Sequence, residues 1–278
     1  MGAVRGDNGG MKASRTEPEE TAAGDEPERT SRGIQSVEVG GQLLKALAQT
    51  GRPMALKDLA REAGMTPAKA HPYLVSFGKL GLIERDGLSS QYGLGSLAVQ
   101  LGLISLQQVD PVRLAIAELP QLAVAAGCTV SAAVWGASGP VIVRVEEGPS
   151  QVNISMRHGM PASLRHTGTG KVFAAFADPA TVARALAVQG LESVLRDPAF
   201  IAEMADIRSS GVCVVRDELI AGISAMAVPV FDGFGKLVLA IAAIAPTSTM
   251  DLSVQGPLAR TLRDAGERLS ARLGSVRA

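Results

Sequence analysis

The sequence predicts an α+β chain of two domains, a small helical unit closed by a β-hairpin and a larger antiparallel sheet with flanking helices. Three observations carry this. Helical apolar spacing fills residues 37–80 and is punctuated by "TGRP", by Thr66 with Pro67, and by Gly81. Beyond residue 127, short apolar runs such as "CTVSAAVW" and "PVIVRVEE" read as strands. The turn "DGFG" joins two long apolar runs directly, which antiparallel neighbours permit and parallel ones do not.

A chain of 278 residues with 46% hydrophobic content is long enough for two domains and supports a real core. Lys+Arg and Asp+Glu are both 27, so the overall charge is silent about a polyanionic partner, for which a local basic patch suffices. Residues 1–33 are polar and rich in Gly, Glu and Thr, the composition of a disordered tail, and lack the apolar core of a signal peptide. No uninterrupted 18-residue apolar span follows, so no membrane partner is expected. Cys128 and Cys213 lie far apart in apolar runs and read as buried free thiols, which favours a cytoplasmic protein.

In order along the chain, "VEVGGQLLKALAQ" places Val37, Leu43, Leu44 and Leu47 at helical spacing, although Gly40 and Gly41 lower the propensity. The stretch "MALKDLAREAG" is a short helix with Leu56, Leu59, Ala60 and Ala63 inward and Gly64 as C-cap. Thr66 then caps a third helix, with Pro67 at its first position, where a missing N–H costs nothing. That helix is expected to bury Leu74, Phe77 and Leu80 and to end at Gly81. Pro72 stands inside it and deprives the carbonyl of Ala68 of its amide, at about 3 kcal/mol in a helix interior, so a kinked helix is predicted. Leu82 and Ile83, a polar tip from Arg85 to Ser90, and Tyr92 with Leu94 make a hairpin. Three short helices and a hairpin within residues 34–94 constitute a winged helix-turn-helix.

Residues 95–110, "GSLAVQLGLISLQQVD", form a linker helix too apolar for a floppy tether; it packs on a partner subunit or on its own domain. Residues 111–278 open with the helix "PVRLAIAELPQLAVAAG", followed by a meander of "CTVSAAVW", "PVIVRVEE" and "QVNISM". Helices begin at "TGTGKVFAAFAD", "PATVARALAV" and "PAFIAEMADIRSS", the last two each with a proline after an aspartate. Strands resume at "GVCVVRD" and continue through "ISAMAVPVFDGFGKLVLAIAAIAP", before a closing amphipathic helix, "GPLARTLRDAGERLSARL". This is a sensor-like domain and not a dinucleotide-binding sheet.

Catalytic chemistry is absent from the pattern. "TGTGK" is not a phosphate loop, because Val172 follows Lys171 and Arg165 stands five residues before Gly170. Its glycines at a helix start either expose N–H groups to a carboxylate or serve close packing. His71, His158 and His166 make no metal-ligand cluster, and Ser163 and Ser224 lack His and Asp companions. The second domain reads as a binder without metal or cofactor, not an enzyme. Around the second and third helices, by contrast, Lys57, Arg61, Lys69 and Lys79 gather, with Arg85 on the wing. Such side chains hold phosphates while the outer face of the third helix meets base edges. His71 is placed for a base or a phosphate, or for polar packing, Tyr73 lies between core and DNA, and Thr66 is a cap with phosphate-reaching neighbours.

The run "IQSVEVGGQLLKALAQTGRPMALKDLAREAGMTPAKAHPYLVSFGKLGLIERDGLSSQYGLG" resembles the winged helix-turn-helix of IclR-type bacterial transcriptional regulators. "TGTGKVFAAF", "RSSGVCVVRDELIAGISAMAVPV" and "FDGFGKLVLAIAAIAP" resemble the family's effector-binding domain, of GAF-like fold, and the likeness covers residues 34–273. The resemblance implies a homodimer, or a tetramer built as a dimer of dimers, on double-stranded operator DNA. It implies a repressor or activator, often of a catabolic operon, that answers to a small-molecule effector. It places Lys57, Thr66, Ala68, Lys69, His71, Pro72, Tyr73 and Arg85 at the DNA.

The departures are informative. Ala68 and Lys69 stand where the family usually has Ser and Thr, and Pro72 where it has arginine. Arg165 takes the habitual histidine position, while Thr167, Gly170 and Lys171 keep the pattern. Val215 and Ala225 fall on the effector-contacting aspartate and cysteine of the small-acid sensors, and Ala242 and Ile244 on their two pocket serines. Four polar anchors have become apolar, and a small carboxylate buried without donors is costly. The expectation is a larger or more apolar ligand, such as an aromatic one, gripped by Met156, Val215, Ala225, Met226, Ala242 and Ile244, with residual polarity from Gly168, Thr169 and Asp217. It would sit in a cavity of roughly a few hundred Å³ between the "TGTGK" helix and the "ISAMAV" and "LAIAAI" strands. The alternative is a non-catalytic protein-interaction module with a degenerate effector site.

Overall fold

The structure, a computed structural model, describes residues 1–2, 33–149 and 156–275. The tail assigned to residues 1–33 and the strand expected at "QVNISM" fall almost entirely outside them.

Helices α1 (Gln35–Thr50), α2 (Leu56–Glu62) and α3 (Pro67–Leu80) precede the hairpin β1 (Ile83–Arg85) and β2 (Tyr92–Leu94). They enclose a core of their own around Leu43, Leu47, Leu59, Leu74, Ile83 and Tyr92. Gly40 is no weakness in α1, because a Cβ there would stand 2.8 Å from Cδ1 of Tyr73, so the glycine lets α3 approach. Val37, in the first turn of α1, is exposed. The C-cap of α2 is Ala63, one residue before the expected Gly64, which takes the left-handed φ of 66° just beyond it.

Helix α3 begins as the sequence requires. The Thr66 hydroxyl accepts from the Lys69 amide at 3.3 Å, Pro67 occupies the first turn, and left-handed Gly81 stops the helix. It runs unbroken through Pro72. Leu80 corrects the expected stripe: it is 60% exposed, because the inward face is Ala70, Leu74 and Phe77, and Leu80 lies about 100° around from it. The linker helix α4 (Ser96–Gln108) buries none of its residues within the chain.

In the second unit the sheet order is β4-β3-β7-β6-β5, antiparallel throughout, from β3 (Thr129–Gly136), β4 (Gly139–Glu146), β5 (Cys213–Arg216), β6 (Ile223–Phe231) and β7 (Leu237–Pro246). Helices α5 (Pro111–Ala126) and α9 (Pro257–Arg272) cover one face. The helices α6 (Gly168–Phe176), α7 (Pro179–Val188) and α8 (Pro198–Ser210) cover the other, with a 3₁₀ turn at Glu192–Arg196 that the sequence did not announce. Burial on both faces explains why β7 is a continuous apolar run: Leu239, Ile241 and Ala243 enter the α5/α9 core, Ala240 and Ala242 the opposite one. Asp110, Asp178 and Asp197 cap α5, α7 and α8, each ahead of a proline. In the "DGFG" turn the Asp232 carboxylate accepts from the Phe234 and Lys236 amides. Both cysteines are free and buried. Among the described residues no helix is long and apolar enough to cross a membrane.

Candidate functional site

Two sites come from the two units. On α3, the inward stripe leaves Ala68, Pro72, Val75 and Lys79 pointing outward, with Lys69 and His71 on the flanks, at 100° per residue. All six are exposed. Pro72 is thus central to the outer face, where its missing N–H leaves a carbonyl open to water rather than stranded in the core. Ser76, one turn on, spends its hydroxyl on the Pro72 carbonyl at 3.0 Å. Tyr73 is placed differently: it is half-buried, its ring against Gly40 of α1, and so sits on the core side of α3. Lys57 is exposed on α2, where the neighbouring Arg61 is paired with Asp58 at 2.9 Å. On the wing the guanidinium of Arg85 lies over the Tyr92 ring, 5.7 Å from its centroid. The tip beyond it is ordered by Asp86, whose carboxylate accepts from the Leu88 and Ser89 amides and the Ser89 hydroxyl, and these bonds lower its pKa.

In the second unit a cavity of about 130 Å³ lies between the start of α6 and strands β5, β6 and β7. It is smaller than the several hundred Å³ expected. Met156, Thr167, Gly168, Thr169, Val215, Ala225, Ala242 and Ile244 all line it. Met226 and Asp217 do not. Side chains alternate along a strand, so with Ala225 on the cavity face Met226 turns into the α5/α9 core, where it is fully buried. Asp217 has a left-handed φ of 55° and folds its carboxylate back onto its own loop, accepting from the Gly222 amide at 2.9 Å and from the Thr247 hydroxyl.

The cavity's polar lining comes from the start of α6 and from Ser224 on β6. The Thr167 hydroxyl is spent, donating to the Ser163 carbonyl at 2.8 Å and accepting from the Gly170 amide at 3.0 Å. Among the described residues, the N–H groups of Gly168 and Thr169, first in α6, have no protein acceptor. His166 also lines the cavity and is exposed; sequence reading gave it no role here, since nothing but its place one residue before the cap marks it. Ser224 lines the cavity too, but its hydroxyl is engaged with that of Thr247 at 2.8 Å.

The two glycines of "TGTGK" are placed differently. A Cβ at Gly170 would meet the Ser163 carbonyl at 1.9 Å, so that position is fixed by close packing, whereas Gly168 lines the cavity. Lys171 is committed to carboxylates: its ammonium is buried between Glu203 and Glu218, at 2.6 and 2.7 Å. Arg165, in the habitual histidine position, pairs with Asp197 and Glu203, both at 3.5 Å, and covers the Phe200 ring. Neither role was foreseen, because the acidic partners lie 32 to 47 residues away in sequence. Among the described residues no group of three or more His, Cys, Asp or Glu side chains could hold a metal ion.

Residues 36–87 match the family profile described as the IclR helix-turn-helix domain, and residues 104–271 that of the bacterial transcriptional regulator IclR C-terminal region. The chain is 25% identical over 250 residues to the DNA-binding transcriptional repressor YiaJ of Escherichia coli, covering 87% of this chain and 89% of that protein. It is 28% identical over 255 residues to the glycerol operon regulatory protein of Streptomyces griseus, covering 89% and 99%. The crystal structure of Pseudomonas aeruginosa HmgR superposes with a TM-score of 0.80 at 31% identity, over 88% of this chain and 100% of that one. The chain therefore belongs to the IclR family, regulators and not enzymes, in which a DNA-binding helix-turn-helix is joined to a C-terminal effector domain that makes transcription ligand-responsive.

Proposed function

We propose that this protein reads an operator through the outer face of α3 and the wing, and releases or tightens its hold when a small apolar carboxylate, about the size of one aromatic ring, enters the cavity. The observation that carries this reading is the pairing of apolar walls with the two unpartnered N–H groups at the start of α6. A cavity of roughly 150 Å³ is known to accept benzene, so 130 Å³ fits a single ring better than a fused system. The carboxylate would rest on the Gly168 and Thr169 amides, with His166 at the mouth, and the ring against Val215, Ala225, Ala242 and Ile244. Catabolism of such acids is the process it would control, in keeping with relatives named for an operon. Titration calorimetry with benzoate, glyoxylate and pyruvate tests this, benzoate being expected to bind most tightly. Equal affinity for glyoxylate or pyruvate would defeat the apolar-pocket argument.

At the DNA, Thr66, Ala68, Lys69, His71 and Pro72 present the first turns of α3, with Lys57 and Arg85 reaching phosphates to either side. Tyr73 supports α3 from behind. A homodimer fits this arrangement, because α4 exposes Val99, Leu101, Leu103, Ile104 and Leu106, each at least half exposed. A helix apolar all round is normally buried, and a second α4 would bury this one. As a DNA regulator it would act in the cytoplasm.

A further inference from the structure

We propose that Lys171 and Glu218 are positioning residues for effector binding: their ion pair holds segment 217–222 against the cavity, and with it Leu219 and Ile220 as part of the cavity wall. This inference rests on reading the cavity as the effector site.

Lys171 is 1% exposed, and a buried ammonium needs partners for its donors. Its Nζ contacts Glu203 Oε1 at 2.6 Å and both oxygens of Glu218 at 2.7 and 2.8 Å. The two carboxylates differ in what they anchor. Glu203 belongs to α8, a helix packed into the core through Phe200, Met204 and Ile207, and is held by Arg165 as well. Glu218 belongs to the short connection between β5 and β6, and Lys171 is its ion-pair partner among the described residues.

The remaining ties of that connection lie at its ends and at Ile220. It leaves β5 at left-handed Asp217 and rejoins β6 after Gly222, with φ of 81°. Leu219 and Ile220 line the cavity yet are 56% and 54% exposed, so burial fixes them only weakly. Asp217 ties the two ends of the segment to each other and to Thr247, and the Ile220 carbonyl accepts from the Ile223 amide, so among the described residues the stretch at Glu218 and Leu219 has no backbone tie of its own. Glu218 ties the middle to α6, the helix whose first residues line the cavity. One ion pair thus joins the segment that carries Leu219 and Ile220 to the helix that begins at the cavity.

Hydrogen exchange on the full chain without ligand, together with benzoate titration, tests the proposal in Glu218→Ala, Glu218→Gln and Glu203→Ala. In Glu218→Ala the amides of Asp217, Gly222 and Ile223, now bonded to Ile223, Asp217 and Ile220, should exchange about tenfold faster, and benzoate affinity should fall about tenfold. Glu218→Gln keeps an acceptor for Lys171 and should recover part of both. Glu203→Ala disturbs the same lysine but not the segment, and should leave exchange there within about twofold of the parent. Unchanged exchange in Glu218→Ala, or equal loosening in Glu203→Ala, overturns the proposal, because the network would then be general packing. If the unaltered protein takes up no benzoate while the exchange pattern holds, it is the assignment of the ligand class that fails and the tie that stands.

Discussion

The ring of Tyr73 rests on the backbone of Gly40, where a Cβ would lie 2.8 Å from its Cδ1 and 3.0 Å from Cζ of Phe77. This contact sets how close α1 and α3 approach, and it turns Tyr73 away from the face that Ala68, Pro72 and Lys79 present. Alanine at position 40 would regain up to about 1 kcal/mol of helix propensity, which partly offsets the crowding. A branched side chain has no such offset. Gly40→Val should destabilise the helix-turn-helix by about 1–3 kcal/mol, read as a lower midpoint in urea, with operator affinity falling in parallel.

Pro72 interrupts the hydrogen-bond ladder of α3 at the centre of its exposed face. Pro72→Arg should strengthen the helix by up to about 3 kcal/mol and add one cation at the DNA, so operator affinity should rise and its log–log salt slope steepen by about one. Lys69→Ala should shift the slope by about one in the opposite sense. Gel shifts at several salt concentrations measure both, and an unchanged slope in Pro72→Arg would mean that this position faces no phosphate.

Ala225 lines the cavity from β6, directly opposite Ile244 on β7. Ala225→Leu should fill much of the 130 Å³ and weaken benzoate binding more than about tenfold, leaving operator affinity in the absence of ligand unchanged. Calorimetry and a gel shift separate this outcome from general unfolding, in which both activities would fail together.

Burial pushes the Cys213 thiol from its ordinary 9.0 up to about 12, and burial also raises Cys128. Between pH 9 and 12 the unfolded chain releases this proton while the folded chain retains it. Stability is therefore fully present below about pH 9 and falls above it, by about 1.4 kcal/mol per pH unit for Cys213. Urea titrations at pH 8 and 10 should show the loss, and Cys213→Ala should flatten the slope.

The apolar circumference of α4 makes the dimer testable. Leu103→Glu and Ile104→Glu together should convert a dimer into monomers in light scattering and reduce operator affinity by more than about tenfold, since two half-sites are then no longer bound as one. A parent protein that is already monomeric at micromolar concentration would refute the interface.

Much of this molecule is written in short-range signals. Thr66 with Pro67, Asp178 with Pro179 and Asp197 with Pro198 mark helix starts by local hydrogen bonding, and the Asp232 turn dictates its own hairpin, so the sequence alone determined both units and the order of their elements. Eight of the cavity residues were legible because the glycine-rich start of α6 and the strand motifs keep their order along the chain. Three-dimensional packing settled whatever depends on facing and long-range partnering. Strand alternation sends Met226 to the far core, a left-handed backbone folds Asp217 onto its own loop, and α1 draws Tyr73 inward. The pairing of Lys171 with Glu203 and Glu218 joins groups 32 and 47 residues apart. No periodicity encodes such a partnership, because the demand of a buried charge for partners is satisfied in space, wherever the fold brings a carboxylate within reach.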